Sequence, residues 1–171
     1  MSGAKPPPGD RVRVTAQVDV DVVDAFEVFT AEIDRWWRRG PRYRASGAHR
    51  GFLCVEPRVG GRLYESFETE TATRVVEVGR VTVWEPPARL VFSWRNENFA
   101  PDESTEVEVR FEPCASGTNV TVEHRGLAAL RPDHPARHGL QGTDFSRMLG
   151  RWWAELLPAL RACAADKDFR A

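Results

Sequence analysis

The last quarter of the chain constrains its fold most. Phe145, Met148, Leu149, Trp152, Leu156, Leu160 and Cys163 recur at three- and four-residue steps, the apolar stripe of one long amphipathic helix. About 20 residues at roughly 1.5 Å each run about 30 Å, enough to lie across a whole sheet. Such a helix needs a broad apolar surface to rest on, and the preceding segments have the composition of strands. Pro158 removes a backbone donor and is expected to kink the helix near its last turns.

From Arg11 to Val20 apolar and polar residues alternate, with Val12, Val14, Ala16 and Val18 against Arg11, Arg13, Thr15 and Gln17. This period of two marks a half-buried strand. Asp21 can cap a helix in which Val22, Val23, Phe26, Val28 and Phe29 keep helical spacing. A second short helix, Glu32 to Arg39, carries Trp36 and Trp37 and stops at Gly40-Pro41. Six further strands are expected at 52–55, 62–69, 73–84, 89–95, 105–112 and 118–125. They are divided by turn-forming segments such as Pro57 to Gly61, Pro86-Pro87 and Ser116-Gly117. The order of one strand, two short helices, six strands and a long helix predicts an α+β fold, a curved antiparallel sheet with one helix laid across it. A strongly bent sheet cannot touch a straight rod along its whole length. The space left between them is the natural place for function.

At 171 residues the length fits one domain, expected over 11–165. A disordered leader over 1–10, with Lys5 and Pro6-Pro7-Pro8, and a short tail over 166–171 flank it. The 42% apolar content can build a core without metal or disulfide staples. Twenty-four basic and 25 acidic residues leave a net charge of −1, so no global field draws in nucleic acid or an anionic membrane. Cys54, Cys114 and Cys163 are odd in number and widely spaced. That usage suits a reducing compartment, and a cytoplasmic location is expected. No segment reads as a signal peptide, anchor or membrane span.

Motifs for several chemistries are missing. His134 and His138 have i, i+4 spacing, but Pro132 and Pro135 place them in a loop without a Cys/His cluster, so no metal site is expected. Gly60-Gly61 fits neither a Walker nor a dinucleotide loop, and there is no Gly-x-Ser-x-Gly elbow. No cofactor is expected. The run from Arg35 to Arg44 sets arginines among Trp36, Trp37 and Tyr43. It could contact single-stranded nucleic acid, but the neutral total charge and the acidic stretches near Glu65 and Glu103 argue against that; the arginines could instead attract an acidic small ligand.

The candidate site residues are those expected to face the space under the helix. His124 shares a strand face with Val120 and Val122 and should point inward, either as a proton-transfer or polar contact or as a satisfied core histidine. Glu65 lies between Leu63 and Phe67. If those two face inward, a carboxylate sits among apolar groups, where burial penalises its charge; otherwise Tyr64, Ser66 and Glu68 form the inner face. A Glu65 and His124 pair facing one cavity would resemble acid/base machinery. Phe52, Phe67, Phe92, Trp94, Phe145, Met148 and Trp152 are expected inward, with Trp36 and Trp37 closing one end. Such rings either stack on a flat ligand or fill core. Trp153 is offset from Trp152 by about 100°, so one of the two would cover a sheet edge or a dimer contact; a homodimer stays open.

Four stretches in order, Trp36-Trp37, Glu56 to Arg62, Gly79 to Trp94 and Gly117 to Gly126, resemble the activator-of-heat-shock-protein-ATPase-like family of the SRPBCC superfamily (START, polyketide cyclase and major birch pollen allergen). The resemblance spans about residues 11 to 165. It implies the helix-grip fold, a seven-stranded sheet gripping a long C-terminal helix around an apolar cavity. A histidine followed by one variable residue and glycine recurs in the family where His124 stands. The resemblance covers only the activator's C-terminal-type domain, so a heat-shock chaperone is not the expected partner. The reading that follows is a binder of a hydrophobic or aromatic small molecule. A polyketide cyclase- or dehydratase-like enzyme and a protein-interaction module are the alternatives.

Overall fold

The computed structural model describes residues 3–95 and 98–166. Its strands are β1 (Arg11–Val18), β2 (Gly51–Val55), β3 (Arg62–Glu68), β4 (Thr73–Glu85), β5 (Arg89–Trp94), β6 (Thr105–Cys114) and β7 (Gly117–Arg125). Two helices, α1 (Val22–Thr30) and α2 (Ile33–Trp36), follow β1, and α3 (Gly142–Ala165) closes the chain. The strands form one antiparallel sheet in the order β1-β7-β6-β5-β4-β3-β2. The meander and its seven strands agree with the sequence pattern, and the architecture is the helix-grip fold.

Alternation sets which side chains face the helix. On β7, Thr118, Val120, Val122 and His124 are buried, and on β3 so are Leu63, Glu65 and Phe67. The pairing is irregular at β4, which shifts register against both β3 and β5, as a β-bulge does where a strand bends. Gly79 sits at this bend, where a Cβ would lie 1.8 Å from the carbonyl oxygen of Ser93; only glycine permits that approach.

Asp21 caps α1 as expected, its Oδ1 accepting from the Asp24 N–H at 2.9 Å. The second helix is shorter than the 32–39 predicted, because Trp37 adopts extended backbone at the cap position. Its end is held by a side chain. Arg44, buried, donates to the carbonyls of Asp34 at 3.0 Å and Trp37 at 2.6 Å, and to Asp34 Oδ1 at 2.6 Å. These bonds satisfy carbonyls that a helix end leaves orphaned.

Helix α3 lies close against β1 at Gly150, where a Cβ would meet Val12 Cγ2 at 2.9 Å. Its buried face is broader than the predicted stripe, taking in Trp153 and Leu157 beside Leu156 and Leu160. Pro158 is exposed, and the helix continues past it to Ala165. Ala154, whose carbonyl Pro158 leaves without its helical N–H, is likewise an exposed residue.

The chain ahead of β1 is tied down in part. Asp10 accepts from the Leu127 N–H through its carbonyl at 2.9 Å and from the Ala128 N–H through Oδ1 at 3.2 Å, and Gly9 abuts Gly142. These contacts pin its end, where a disordered leader was expected. Of the expected leader and tail, residues 1–2 and 167–171 lie outside the described residues. Among the described residues no helix is long and apolar enough to cross a membrane.

Candidate functional site

The two halves of α3 meet different surroundings. Its C-terminal half packs into the main core, which includes Phe26 and Phe29 of α1 and Phe111 of β6. Toward its N-terminal half the sheet draws away, leaving a cavity of about 730 Å³. Phe145, Met148, Leu149 and Trp152 form its helix wall, and Leu63, Glu65, Val78, Trp94, Thr105 and His124 its sheet wall. The segment around Tyr43 and the loops carrying Phe99, Leu127 and Leu130 close the sides.

Tryptophans dominate one wall. Trp37 stacks on Trp94 with centroids 5.7 Å apart and meets Trp152 edge-on at 5.8 Å. Their polar edges are anchored within the protein: Trp37 Nε1 donates to the Tyr43 carbonyl at 3.0 Å and Trp152 Nε1 to the Arg42 carbonyl at 2.9 Å. The rings are thereby fixed in the cavity wall.

His124 is a hydrogen-bonded member of this wall. Trp153 Nε1 donates to its Nδ1 at 3.3 Å, and an indole nitrogen can only donate. The ring proton therefore sits on Nε2, which donates to Thr105 Oγ1 at 2.7 Å. The Thr105 hydroxyl passes its own proton to the Trp94 carbonyl at 3.2 Å. Burial pushes the imidazole down to about 3 because a charged ring would lose its hydration. At neutral pH the ring is uncharged, and both nitrogens are occupied.

Glu65 is turned inward and buried. Its Oε2 accepts from the Ala45 N–H at 2.7 Å and its Oε1 from the Ser46 N–H at 3.2 Å. Glu65 and His124 border the same cavity but are not bonded to each other, so the acid/base pair is not assembled. The remaining ions near the mouth are engaged with one another: Arg42 pairs with Glu155 at 2.6 Å and Arg44 with Asp34. Trp36 and Trp37 are buried, which withdraws them from stacking on an external nucleic acid.

Several expected positions differ. Phe52 is 48% exposed and lies against Tyr64 on the outer sheet face, with Leu53 taking the inward place on β2. One residue of phase in a strand reverses a side chain. Trp153, expected as one of two residues at an edge or dimer contact, is instead fully buried against His124. Trp36, Phe67 and Phe92 are buried but do not border the cavity. Phe92 shares the face of Trp94 but lies about 7 Å deeper along β5. His134 is buried with Nδ1 accepting from the Ala136 N–H at 3.0 Å and Nε2 3.6 Å from Glu103. Among the described residues no group of three potential ligands could hold a metal ion.

Residues 19–144 match the family described as Activator of Hsp90 ATPase homolog 1-like protein. The chain belongs to this family. Similar folds include the AHSA1-like protein from Aeromonas hydrophila, at 19% identity and a TM-score of 0.57 over 90% of each chain. A protein from Rhodobacter sphaeroides shares 22% identity and a TM-score of 0.62, covering 94% of this chain and 95% of that one. A Staphylococcus aureus protein of unknown function reaches a TM-score of 0.65 at 10% identity, over 94% and 96%. At these identities the likeness establishes the fold alone. No curated protein matches the sequence.

In this member of the Hsp90-activator-like family, some wall residues escaped sequence reasoning. Thr105 could have been found, since it keeps phase with Val107 and Val109 on the inner face of β6. Tyr43 and Ala45 could not, because the loop that carries them has no periodicity.

Proposed function

We propose that the protein binds an apolar, ring-bearing small molecule in the cavity between the sheet and the first half of α3, and does so in the cytoplasm. The carrying observation is the cavity itself: about 730 Å³, within the roughly 300–1,000 Å³ of small-molecule sites, walled by Trp37, Trp94 and Trp152. Burying apolar ligand surface against fixed rings contributes about 25 cal/mol per Å² before the costs of association. The three free cysteines support a reducing location.

A cyclase- or dehydratase-like reaction driven by His124 is less well supported. A proton-transfer group should titrate near the working pH, whereas burial holds this ring neutral with both nitrogens engaged. No comparable observation favours a chaperone or other protein partner.

Native mass spectrometry of gently purified protein, followed by thermal shifts against polycyclic, lipid and polyketide-like compounds, tests the reading. A co-purified mass, or a shift lost in Trp152→Ala, is the expected result; a ligand at 100 times its Kd stabilises by about 2.7 kcal/mol. Protein without bound mass and unresponsive to every compound class would sink it.

A further inference from the structure

The cavity wall is mainly apolar, with polar side chains at a few places. Of the ionisable side chains on its wall, Arg42 is exposed and paired with Glu155, Arg44 is spent on Asp34 and backbone carbonyls, and His138 and Tyr43 stand at the rim, His138 exposed and Tyr43 against Trp152. His124 is occupied at both nitrogens. Glu65 remains, 3% exposed, on the inner face of β3.

Among the described residues its partners are two backbone N–H groups, those of Ala45 and Ser46. A carboxylate offers about four lone-pair sites, so two remain. An arginine or lysine would normally accompany a carboxylate buried to this degree, yet among the described residues no ion pair includes Glu65. Aromatic rings on the same wall act in the same direction. Trp94 and Trp152 are partly exposed on that wall, and an aromatic π-cloud, the negative part of the ring's quadrupole, favours a positive group over a negative one.

The geometry points to a ligand that carries, on its apolar ring body, a hydrogen-bond donor directed at Glu65, with a protonated amine favoured over a hydroxyl and a carboxylate rejected. This inference rests on the cavity being a binding site and adds the chemistry of the ligand's polar end. It reverses the sequence-based suggestion that the arginines of 35–44 attract an acidic ligand.

Four compounds sharing one ring system test it by isothermal titration calorimetry at pH 7: 2-naphthylmethylamine, 2-naphthalenemethanol, 2-naphthoate and 2-methylnaphthalene. The expected order of affinity is amine, alcohol, hydrocarbon, carboxylate. Amine and carboxylate should differ by at least about tenfold, the scale of one charge-assisted hydrogen bond. In Glu65→Gln the amine should lose most of that advantage while the hydrocarbon binds as before. Because the new amide nitrogen would face the Ala45 and Ser46 donors and could loosen that loop, the order measured on the natural protein decides by itself. A carboxylate that binds as well as the amine overturns the inference but leaves the cavity a binding site. If none of the four binds while the broader screen finds a ligand, the inference falls and the cavity stands; if neither yields one, both readings fall.

Discussion

Helix α3 runs over two kinds of interior within one sheet. Toward its C-terminal end the space is filled: Phe26 and Phe29 of α1 wedge beneath it and meet Phe111 at 5.1 and 5.8 Å, and Leu156, Leu157 and Leu160 are fully buried. Toward its N-terminal end Phe145 is buried in a smaller cluster with Phe99, Leu127 and Leu130, but among the described residues no helix like α1 wedges beneath, and Met148, Leu149 and Trp152 are only half-buried and border the cavity. What separates core from cavity here is the reach of α1, nine residues long. A short helix fills half the space under a long one, and the unfilled half becomes available to a ligand.

Leu156 gives the strongest test of the filled half. It is fully buried, and truncation there removes contacts that close-packed neighbours can restore only in part. Leu156→Ala should cost about 2–5 kcal/mol, read as a lower midpoint in urea with an unchanged slope. A loss below about 1 kcal/mol would mean that this end is as loosely packed as the other, and the contrast would collapse.

The division was partly legible in advance. Strand alternation and the helical stripe fixed seven strands and the terminal helix, since period and burial are one phenomenon. They did not settle position along the sheet. Phe92 and Trp94 share a strand face, yet only Trp94 borders the cavity, a difference set by where α1 ends rather than by any local pattern. The inward turn of Glu65 was one of two open readings until β3 was seen to bury Leu63 and Phe67. Trp152, a member of the stripe, borders the cavity as expected; that Trp153 is buried as well depends on His124 across the sheet, which the helical period does not carry.

His124 stands where the two interiors meet, and its titration reports how far water penetrates. Its folded pKa, about 3 against an ordinary 6.5, is depressed by burial. Between those values the unfolded chain binds a proton that the native ring does not. The stability it contributes is thus complete above about pH 6.5 and is lost as pH falls toward 3. His134, also lowered by burial, adds in the same direction. Each histidine contributes a slope of up to about 1.4 kcal/mol per pH unit. Glu108 and Glu123, held below the usual carboxylate range with their arginine partners opposing burial, enter only at the acid end. His124→Gln, whose amide can still accept from Trp153 and donate to Thr105, should flatten the dependence between pH 6 and 5 by about one proton. An unchanged slope in urea titrations would show that water from the cavity already solvates the ring.

Leu149 provides the smallest effect and the sharpest contrast. It lies seven residues before Leu156, two turns or about 10.5 Å along the same face of α3, so the same substitution samples the hollow half. The side chain is half-buried and already adjoins open space. Truncating it enlarges a cavity instead of creating one, and fewer contacts are lost. Leu149→Ala should therefore cost under about 1 kcal/mol, several-fold less than Leu156→Ala. The shallow cost belongs to the ligand-free protein. With a bound ring compound the same side chain gains a neighbour, and the gap between the two variants should narrow as ligand is added. If ligand leaves that gap unchanged, it does not reach the wall formed by α3, and the occupied space would have to lie nearer β3 and Glu65.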